Sequence, residues 1–223
     1  MKIYAVNGGP RKKHNTAKLL QAALSGAAAA PCAEAVETEM IHLYDLDFQG
    51  CMSCFACKRL GAKSYGRCGF KDALSPVLEK LSQADGIIFG SPIYFGNVTG
   101  KLRCLLERLL FAYLVYDKAY STLAPKRMPT AFLYDMNVSR EEMEQYGYRS
   151  GLERMEMFVG RIFSRPAVLH VCNTYQFDDY SKYRAERFSE PEKAAWRDSH
   201  FPLDLAEAGR MGAAMVTGGR QAV

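Results

Sequence analysis

The stretch Asp85–Gly90, DGIIFG, gives the clearest fold signal in the chain. Its apolar run IIF is short and unbroken, and Ser91-Pro92 follows it directly. A run of this kind is typical of a strand that is buried on both faces of a parallel sheet. Similar short runs lie on both sides of it, separated by stretches of helical period. This alternation predicts an α/β fold with a doubly wound parallel sheet and right-handed crossovers.

Five strands and five helical regions follow from the pattern. We expect strands at 2–7, 36–43, 85–90, 130–134 and 167–171, and helices at about 15–29, 72–82, 98–113, within 140–163, and at about 203–215. Ligands of doubly wound sheets bind beyond the carboxyl ends of the strands. The loops after the first, third and fourth strands are therefore the ones to examine.

The composition is that of one globular domain over residues 1–223, with 48% hydrophobic and 24% charged residues. It excludes a disordered chain and a small disulfide-bonded scaffold. The first residues turn polar too early for a secretory signal, and the longest apolar run, Ala22–Ala30, is too short to span a membrane. We therefore expect a cytoplasmic protein, without a membrane partner, whose seven cysteines are reduced.

The loop after the first strand, Asn7–Thr16 (NGGPRKKHNT), combines two glycines and three cations with the start of a helix. Free backbone N–H groups at a helix start form an anion site that suits a phosphate monoester. The alternative is an Asn/Thr helix cap with solvated basic neighbours.

The loop after the third strand, Gly90–Gly100 (GSPIYFGNVTG), mixes turn residues with two adjacent aromatic residues. Backbone N–H groups and a flat ring would suit a planar heterocycle lying across the strand ends. Alternatively, the aromatic side chains pack on the core.

Taken together, the two loops resemble the flavodoxin-like NAD(P)H-dependent FMN reductase family. The family pattern has G-S-x-R and S/N-x-T around the first helix start, and a third-strand loop close to G-S-P-I-Y-F/W-G; Gly8 stands here where the family usually has Ser. The resemblance implies the strand order 2-1-3-4-5. It also implies an FMN phosphate bound near Gly9 by Arg11, Asn15 and Thr16, a flavin ring on Pro92, Ile93, Tyr94, Phe95, Gly96 and Asn97, and a far side lined by Tyr134, Met136 and Asn137.

The cysteine-rich loop, residues 51–68, has the pattern Cys51-x2-Cys54-x2-Cys57-x10-Cys68. Three cysteines at two-residue gaps with a distal fourth are typical of ligands to a 4Fe-4S cluster. Zinc, which is usually bound by two separated pairs, and free or redox-active thiols are the alternatives. Within the family the pattern resembles the iron-sulfur flavoprotein branch, although the last gap is longer here. Gly61 and Gly66 would help the loop to bend.

The resemblance implies an oxidoreductase that transfers electrons through FMN, with NADH or NADPH as co-substrate and no catalytic side chain, since the flavin carries the chemistry. The alternative is an electron carrier that accepts electrons from ferredoxin. A nucleic-acid partner is disfavoured, because no DNA-reading or RNA-stacking motif is present. The resemblance also implies a homodimer or homotetramer. The C-terminal extension, about 178–223, and the residues just before it are rich in aromatic side chains. We expect these to contact a neighbouring subunit or fold back; the alternative is that they cover the flavin.

The net charge of +5 is concentrated in two loops. One contains Arg11, Lys12 and Lys13, and the other contains Lys58, Arg59, Lys63 and Arg67. We expect the first to face the phosphate, and the second to offset cluster thiolates or meet an acidic redox partner.

Overall fold

A computed structural model describes residues 1–218. The strands are β1 (Lys2–Asn7), β2 (Glu37–His42), β3 (Gly86–Pro92), β4 (Thr130–Asp135) and β5 (Ala167–Val171). All five pair in parallel in one sheet of order β2-β1-β3-β4-β5, which confirms the predicted fold class and strand order.

Helices cover both faces of the sheet, so that the core is divided into two apolar layers. The helices are α1 (Asn15–Ala29), α2 (Ser75–Ser82), α3 (Gly100–Tyr113), α4 (Arg140–Gln145), α5 (Tyr148–Ile162) and α6 (Glu190–Thr217). The layer under α1 and α6 contains alternate strand residues such as Ile3, Ile88 and Leu133, and the other layer lies under α2, α3 and α5.

The prediction of a C-terminal helix beginning at about residue 203 is wrong. Helix α6 begins at Glu190, where the Ser189 hydroxyl accepts a hydrogen bond from the backbone N–H of Glu192, and it continues through Pro202. A proline removes one helical N–H, but the turns on both sides of it can still form. The predicted C-terminal extension, about 178–223, includes the last residues of the sequence. Of these, 219–223 lie outside the described residues.

Helix α6 packs closely on α1. A Cβ atom on Gly212 would lie 1.8 Å from the carbonyl oxygen of Ala23, and one on Gly26 would lie 2.0 Å from that of Gly209. Both positions therefore require glycine, and the two backbones approach each other too closely for any side chain.

The helical region predicted within 140–163 is divided into α4 and α5. Helix α4 begins with a capping box, in which Ser139 accepts from the N–H of Glu142 and the Glu142 carboxylate accepts from the N–H of Ser139. The chain turns at Gly147, whose φ of +69° is easily adopted only by glycine.

The ends of β1, β3 and β4 lie in register at one edge of the sheet. Asn7 pairs with Gly90, and Pro92 pairs with Asp135. The loops after these strands are thereby brought together. No helix within residues 1–218 combines the length and the apolar character needed to cross a bilayer.

Candidate functional site

A cleft of about 350 Å³ opens at this edge of the sheet, between the loops after β1, β3 and β4 and the segment that follows β5. Nine of the thirteen residues predicted to bind flavin line it, namely Gly9, Arg11, Asn15, Thr16, Pro92, Ile93, Tyr94, Met136 and Asn137.

One end of the cleft is formed by the N-terminus of α1. His14, the residue before the helix, makes no side-chain hydrogen bond to the first turn, so the helix start keeps free donors. The backbone at Gly9 lies close to both neighbouring loops, because a Cβ there would lie 3.1 Å from Thr16 Oγ1 and 3.3 Å from Pro92 Cδ. Free N–H groups, a guanidinium and a hydroxyl at one helix start suit a phosphate group.

The side chains of Arg11 and Asn15 also hold the segment after β5 against the cleft. Arg11 Nη1 donates to the carbonyl oxygen of Gln176 across 2.7 Å, and Asn15 Nδ2 donates to that of Tyr175 across 3.0 Å. The loop after β1 and the segment at 174–177 therefore form one wall.

An aromatic pair from the C-terminal extension lines the same cleft. The rings of Phe177 and Tyr183 are stacked, with centroids 4.2 Å apart and planes 14° apart. The aromatic composition of the extension was the only signal for this pair. The structure places both rings beside the cleft.

Asp135, at the end of β4, lines the cleft but is absent from the predicted site. The residue is only 6% exposed, and one carboxylate oxygen accepts a hydrogen bond from Thr16 Oγ1. Burial raises the pKa of Asp135 to about 6, although the Thr16 hydrogen bond and the Arg11 charge act in the opposite direction. The sequence pattern for this loop was too weak to single out the carboxylate.

The side-chain oxygen of Asn137 is buried without a hydrogen-bond partner among residues 1–218. Behind it, Lys193 Nζ on α6 donates to the Asn137 carbonyl oxygen, and burial lowers the pKa of that lysine to about 8. Lys193 thus holds the loop after β4 in place, while Asn137 keeps an unused acceptor at the cleft. An unused buried acceptor is an observation that fits a bound heterocycle with an N–H group.

The turn after β3 presents one of its two aromatic residues to the cleft. The backbones of Tyr94 and Asn97 exchange hydrogen bonds of 2.8 and 3.1 Å, and Phe95 and Gly96 occupy the turn with φ of +52° and +74°. Tyr94 lines the cleft, whereas Phe95 is fully exposed. The predicted residues Phe95, Gly96 and Asn97 are therefore not part of the cleft wall.

Tyr134, the remaining predicted residue, is fully buried. Its ring packs 5.2 Å from that of Phe132 and 5.5 Å from that of His170, on the sheet face opposite Asp135. Because side chains alternate along a strand, only one of Tyr134 and Asp135 can face α1 and the cleft.

All four cysteines of the predicted metal site line a second, smaller pocket. The ten-residue gap before Cys68 folds back on itself through turns at Gly61 and Gly66, both with φ of +75°. The N–H of Gly66 donates to the carbonyl oxygen of Cys57 across 3.0 Å, which returns the chain to the pocket. The longer gap is thus accommodated by the two predicted glycines.

Two cations adjoin the cysteine pocket. Arg108, which is 2% exposed, donates from Nε to Cys68 Sγ across 3.4 Å and pairs through Nη1 with Asp72. Lys58 Nζ donates to the carbonyl oxygens of Phe111 and Leu114, at the end of α3. Burial raises the pKa of the Cys57 thiol, and nearby Lys58 opposes this effect. The Lys58 charge therefore offsets part of the effect of burial on this thiol.

The four cysteines of this pocket are suitable metal ligands, but their side chains are not arranged around a common point. Over residues 1–218, no three His, Cys, Asp or Glu side chains converge as a metal-binding group. Four thiols beside two cations nevertheless have the chemistry that suits a cluster.

The doubly wound sheet and the cleft at its carboxyl edge define a flavodoxin-like protein. A model of the family described as NADPH-dependent FMN reductase matches residues 1–128, more than half of the chain. The chain belongs to this family, which confirms the predicted resemblance and supports FMN as its cofactor.

Several curated relatives are iron-sulfur flavoproteins. The chain is 39% identical over 108 residues to that of Methanocaldococcus jannaschii, covering 48% of this chain and 51% of the relative. It is 41% identical over 113 residues to one of Archaeoglobus fulgidus, covering 48% of each. The matched region thus spans about half the length of the curated relatives.

Experimentally determined structures share the fold over nearly the whole chain. An NAD(P)H:quinone oxidoreductase from Methanothermobacter marburgensis superposes with a TM-score of 0.65 at 18% identity, covering 96% of this chain and 98% of that one. An FMN-dependent NADH-azoreductase from Bacillus anthracis, in complex with FMN, gives a TM-score of 0.64 at 12% identity, covering 96% and 99%. At these identities the likeness concerns the fold.

Proposed function

We propose that the protein is an FMN-dependent oxidoreductase whose flavin accepts a hydride from NADH or NADPH. The observation that carries the proposal is the cleft itself. It places the start of α1, with Arg11 and Thr16, beside Ile93 and Tyr94 on the same edge of the sheet.

Different residues of the cleft would bind different parts of the cofactor. Arg11, Asn15 and the first turn of α1 would hold the phosphate, and Pro92, Ile93 and Tyr94 would support the ring. Asn137 would accept from the ring edge through its unused oxygen. Bound flavin supplies the redox chemistry, accepting a hydride and passing electrons singly or in pairs. The chain would position the flavin in the cleft.

The proposal is tested by anaerobic reduction of the FMN-loaded protein with NADPH and NADH in separate titrations. We expect one of them to bleach the flavin absorbance faster than it bleaches the same concentration of free FMN. The control is Lys126→Ala, because Lys126 pairs with Asp85 across 2.5 Å and does not line the cleft. This variant should react as the unaltered protein does. Bleaching no faster than that of free FMN with both nucleotides would contradict the reductase function.

A second candidate function is that of an electron carrier, in which the four cysteines hold a 4Fe-4S cluster and ferredoxin replaces the nicotinamide. Four thiols in one pocket, with Arg108 and Lys58 beside them, support this candidate. So does the printed name of the relatives, iron-sulfur flavoprotein. Ready bleaching by reduced ferredoxin, with none by either nucleotide, would favour the carrier over the reductase.

We also propose a cytoplasmic homodimer or homotetramer. An apolar groove of about 260 Å³ between α3 and α5, with Leu106, Leu110 and Phe158 in its wall, supports subunit contact on that side. A monomeric mass in light scattering would contradict the assembly.

A further inference from the structure

The Thr16 hydroxyl is already engaged in the structure, because it donates to a carboxylate oxygen of Asp135. Thr16 is also one of the donors expected to hold the flavin phosphate. A carboxylate at the end of β4 therefore lies beside the place where an anion is expected, and both residues line the same cleft.

Few charges surround Asp135 among the described residues. The loop after β1 contributes the Arg11 cation and the His14 imidazole, which lines the same cleft, and the loop after β3 contributes the Tyr94 phenol. Helix α1 contributes the uncharged Thr16 hydroxyl. The strand residues paired with Asp135 are Pro92 on β3 and Val171 on β5, which do not titrate. Arg11 donates to the Gln176 carbonyl oxygen, and no lysine or arginine within residues 1–218 forms a salt bridge with Asp135.

We propose that Asp135 is part of the phosphate site, and that a flavin phosphate enters it together with one proton taken up from solvent by the Asp135 carboxylate. The proton converts a repelling carboxylate into a carboxylic acid that donates to a phosphate oxygen. Thr16 is then released from Asp135 and donates to the phosphate as well. This inference rests on the proposed function, since it assigns a further residue to the same site.

The chemistry of the pair supports this arrangement. A phosphate dianion beside a buried carboxylate is unfavourable, since like charges in a poorly solvated site repel strongly. The carboxyl group can relieve this repulsion, because burial already raises its pKa to about 6 before the ligand enters. An anionic neighbour raises that pKa further, so the bound state takes up a proton at neutral pH.

The first test is the dissociation constant of FMN from pH 5 to 9, measured by flavin fluorescence for the unaltered protein and for Asp135→Asn. Dividing the dissociation constant of the unaltered protein by that of Asp135→Asn removes the effect of the ionisation of the phosphate itself, which is common to both proteins. One linked proton changes affinity by up to about tenfold per pH unit. We expect the ratio to rise at least about tenfold between pH 6 and 8, as the unaltered protein loses affinity. Asp117→Asn, at an exposed carboxylate outside the cleft, should follow the unaltered protein.

A constant ratio across this range would overturn the proposal. A second contradicting result is that Asp135→Asn binds both FMN and riboflavin more weakly, while the affinity of the unaltered protein rises with pH. The carboxylate would then accept a hydrogen bond from the sugar-alcohol chain of the flavin. Absence of FMN binding by the unaltered protein at every pH would overturn the proposed function and this inference together.

A second measurement counts the protons directly. The enthalpy of FMN binding at pH 7.5, in buffers of different ionisation enthalpy, gives the number of protons exchanged. We expect the unaltered protein to take up close to one proton with FMN and none with riboflavin, which lacks the phosphate. Asp135→Asn should take up none with FMN. No uptake with FMN, equal uptake with both ligands, or the same uptake in Asp135→Asn would overturn the proposal.

Discussion

Arg108 on α3 donates a hydrogen bond from Nε to Sγ of Cys68, across 3.4 Å. Its guanidinium also binds the Asp72 carboxylate and the carbonyl oxygens of Gln49 and Phe70. One buried side chain therefore connects α3, the cysteine-rich loop and the segment that precedes α2.

Arg108→Met is expected to destabilise the protein without bound cofactor by about 3 kcal/mol or more, because it leaves Asp72 charged and without its partner. The control on the same helix is Arg103→Met. Arg103 forms an exposed pair with Glu107 across 3.2 Å, and its loss should cost less than about 1 kcal/mol. Urea unfolding of both variants gives the comparison. Equal losses would mean that the buried pair has no special role.

Cys57→Ser is expected to abolish iron binding after anaerobic reconstitution, since Cys57 is a buried member of the cysteine pocket. Under the second candidate function, the unaltered protein should hold about four iron atoms per chain. Cys32→Ser is the matched control, because Cys32 is exposed and lies outside that pocket. Iron and acid-labile sulfide analysis provides the measurement. Full iron content in Cys57→Ser would exclude Cys57 as a ligand.

The contribution of His170 to stability is expected to fall at mildly acidic pH. Burial, followed by the nearby Arg149 and Arg140 charges, lowers the pKa of His170 to about 4. The unfolded chain thus binds a proton below about pH 6.5 that the folded chain rejects, and this contribution declines as pH falls from 6.5 towards 4. Asp135, whose pKa is raised to about 6 in the folded chain, acts in the opposite direction, so the His170 effect is read from the difference between variants. Between pH 7 and 5 this amounts to about 1–2 kcal/mol. His170→Gln should lose that much less over the same interval in urea unfolding, and parallel losses would refute the assignment.

Arg11→Ala is expected to weaken FMN binding about tenfold or more, because it removes a charge-assisted hydrogen bond to the phosphate. Riboflavin, which has no phosphate, should bind the variant and the unaltered protein within about twofold of each other if the loss concerns the phosphate alone. Fluorescence titration measures both. An unchanged FMN dissociation constant would reject the phosphate role of Arg11.

Much of the sheet and three of its loops could be predicted from the sequence, because buried parallel strands have short apolar runs that glycine and proline interrupt. The run DGIIFG is an example, and β3 extends from Gly86 to Pro92. The start of α6 could not be predicted in this way. Pro202 favours a helix boundary locally, whereas the structure continues the helix from Glu190.

The candidate site was predictable where a motif specifies backbone and side chain together, as in the loop around Arg11 and Thr16. It was not predictable where long-range packing decides which side chain faces the cleft. Asp135 and Phe177 reach the cleft through strand alternation and through the path of the C-terminal extension. Neither feature leaves a local pattern in the sequence.

The most direct test of the account is the absorption spectrum of anaerobically purified protein, together with its FMN content. The account predicts a yellow protein with flavin bands and about one FMN per chain, either as purified or after incubation with FMN. A colourless protein that does not take up FMN on reconstitution would contradict it.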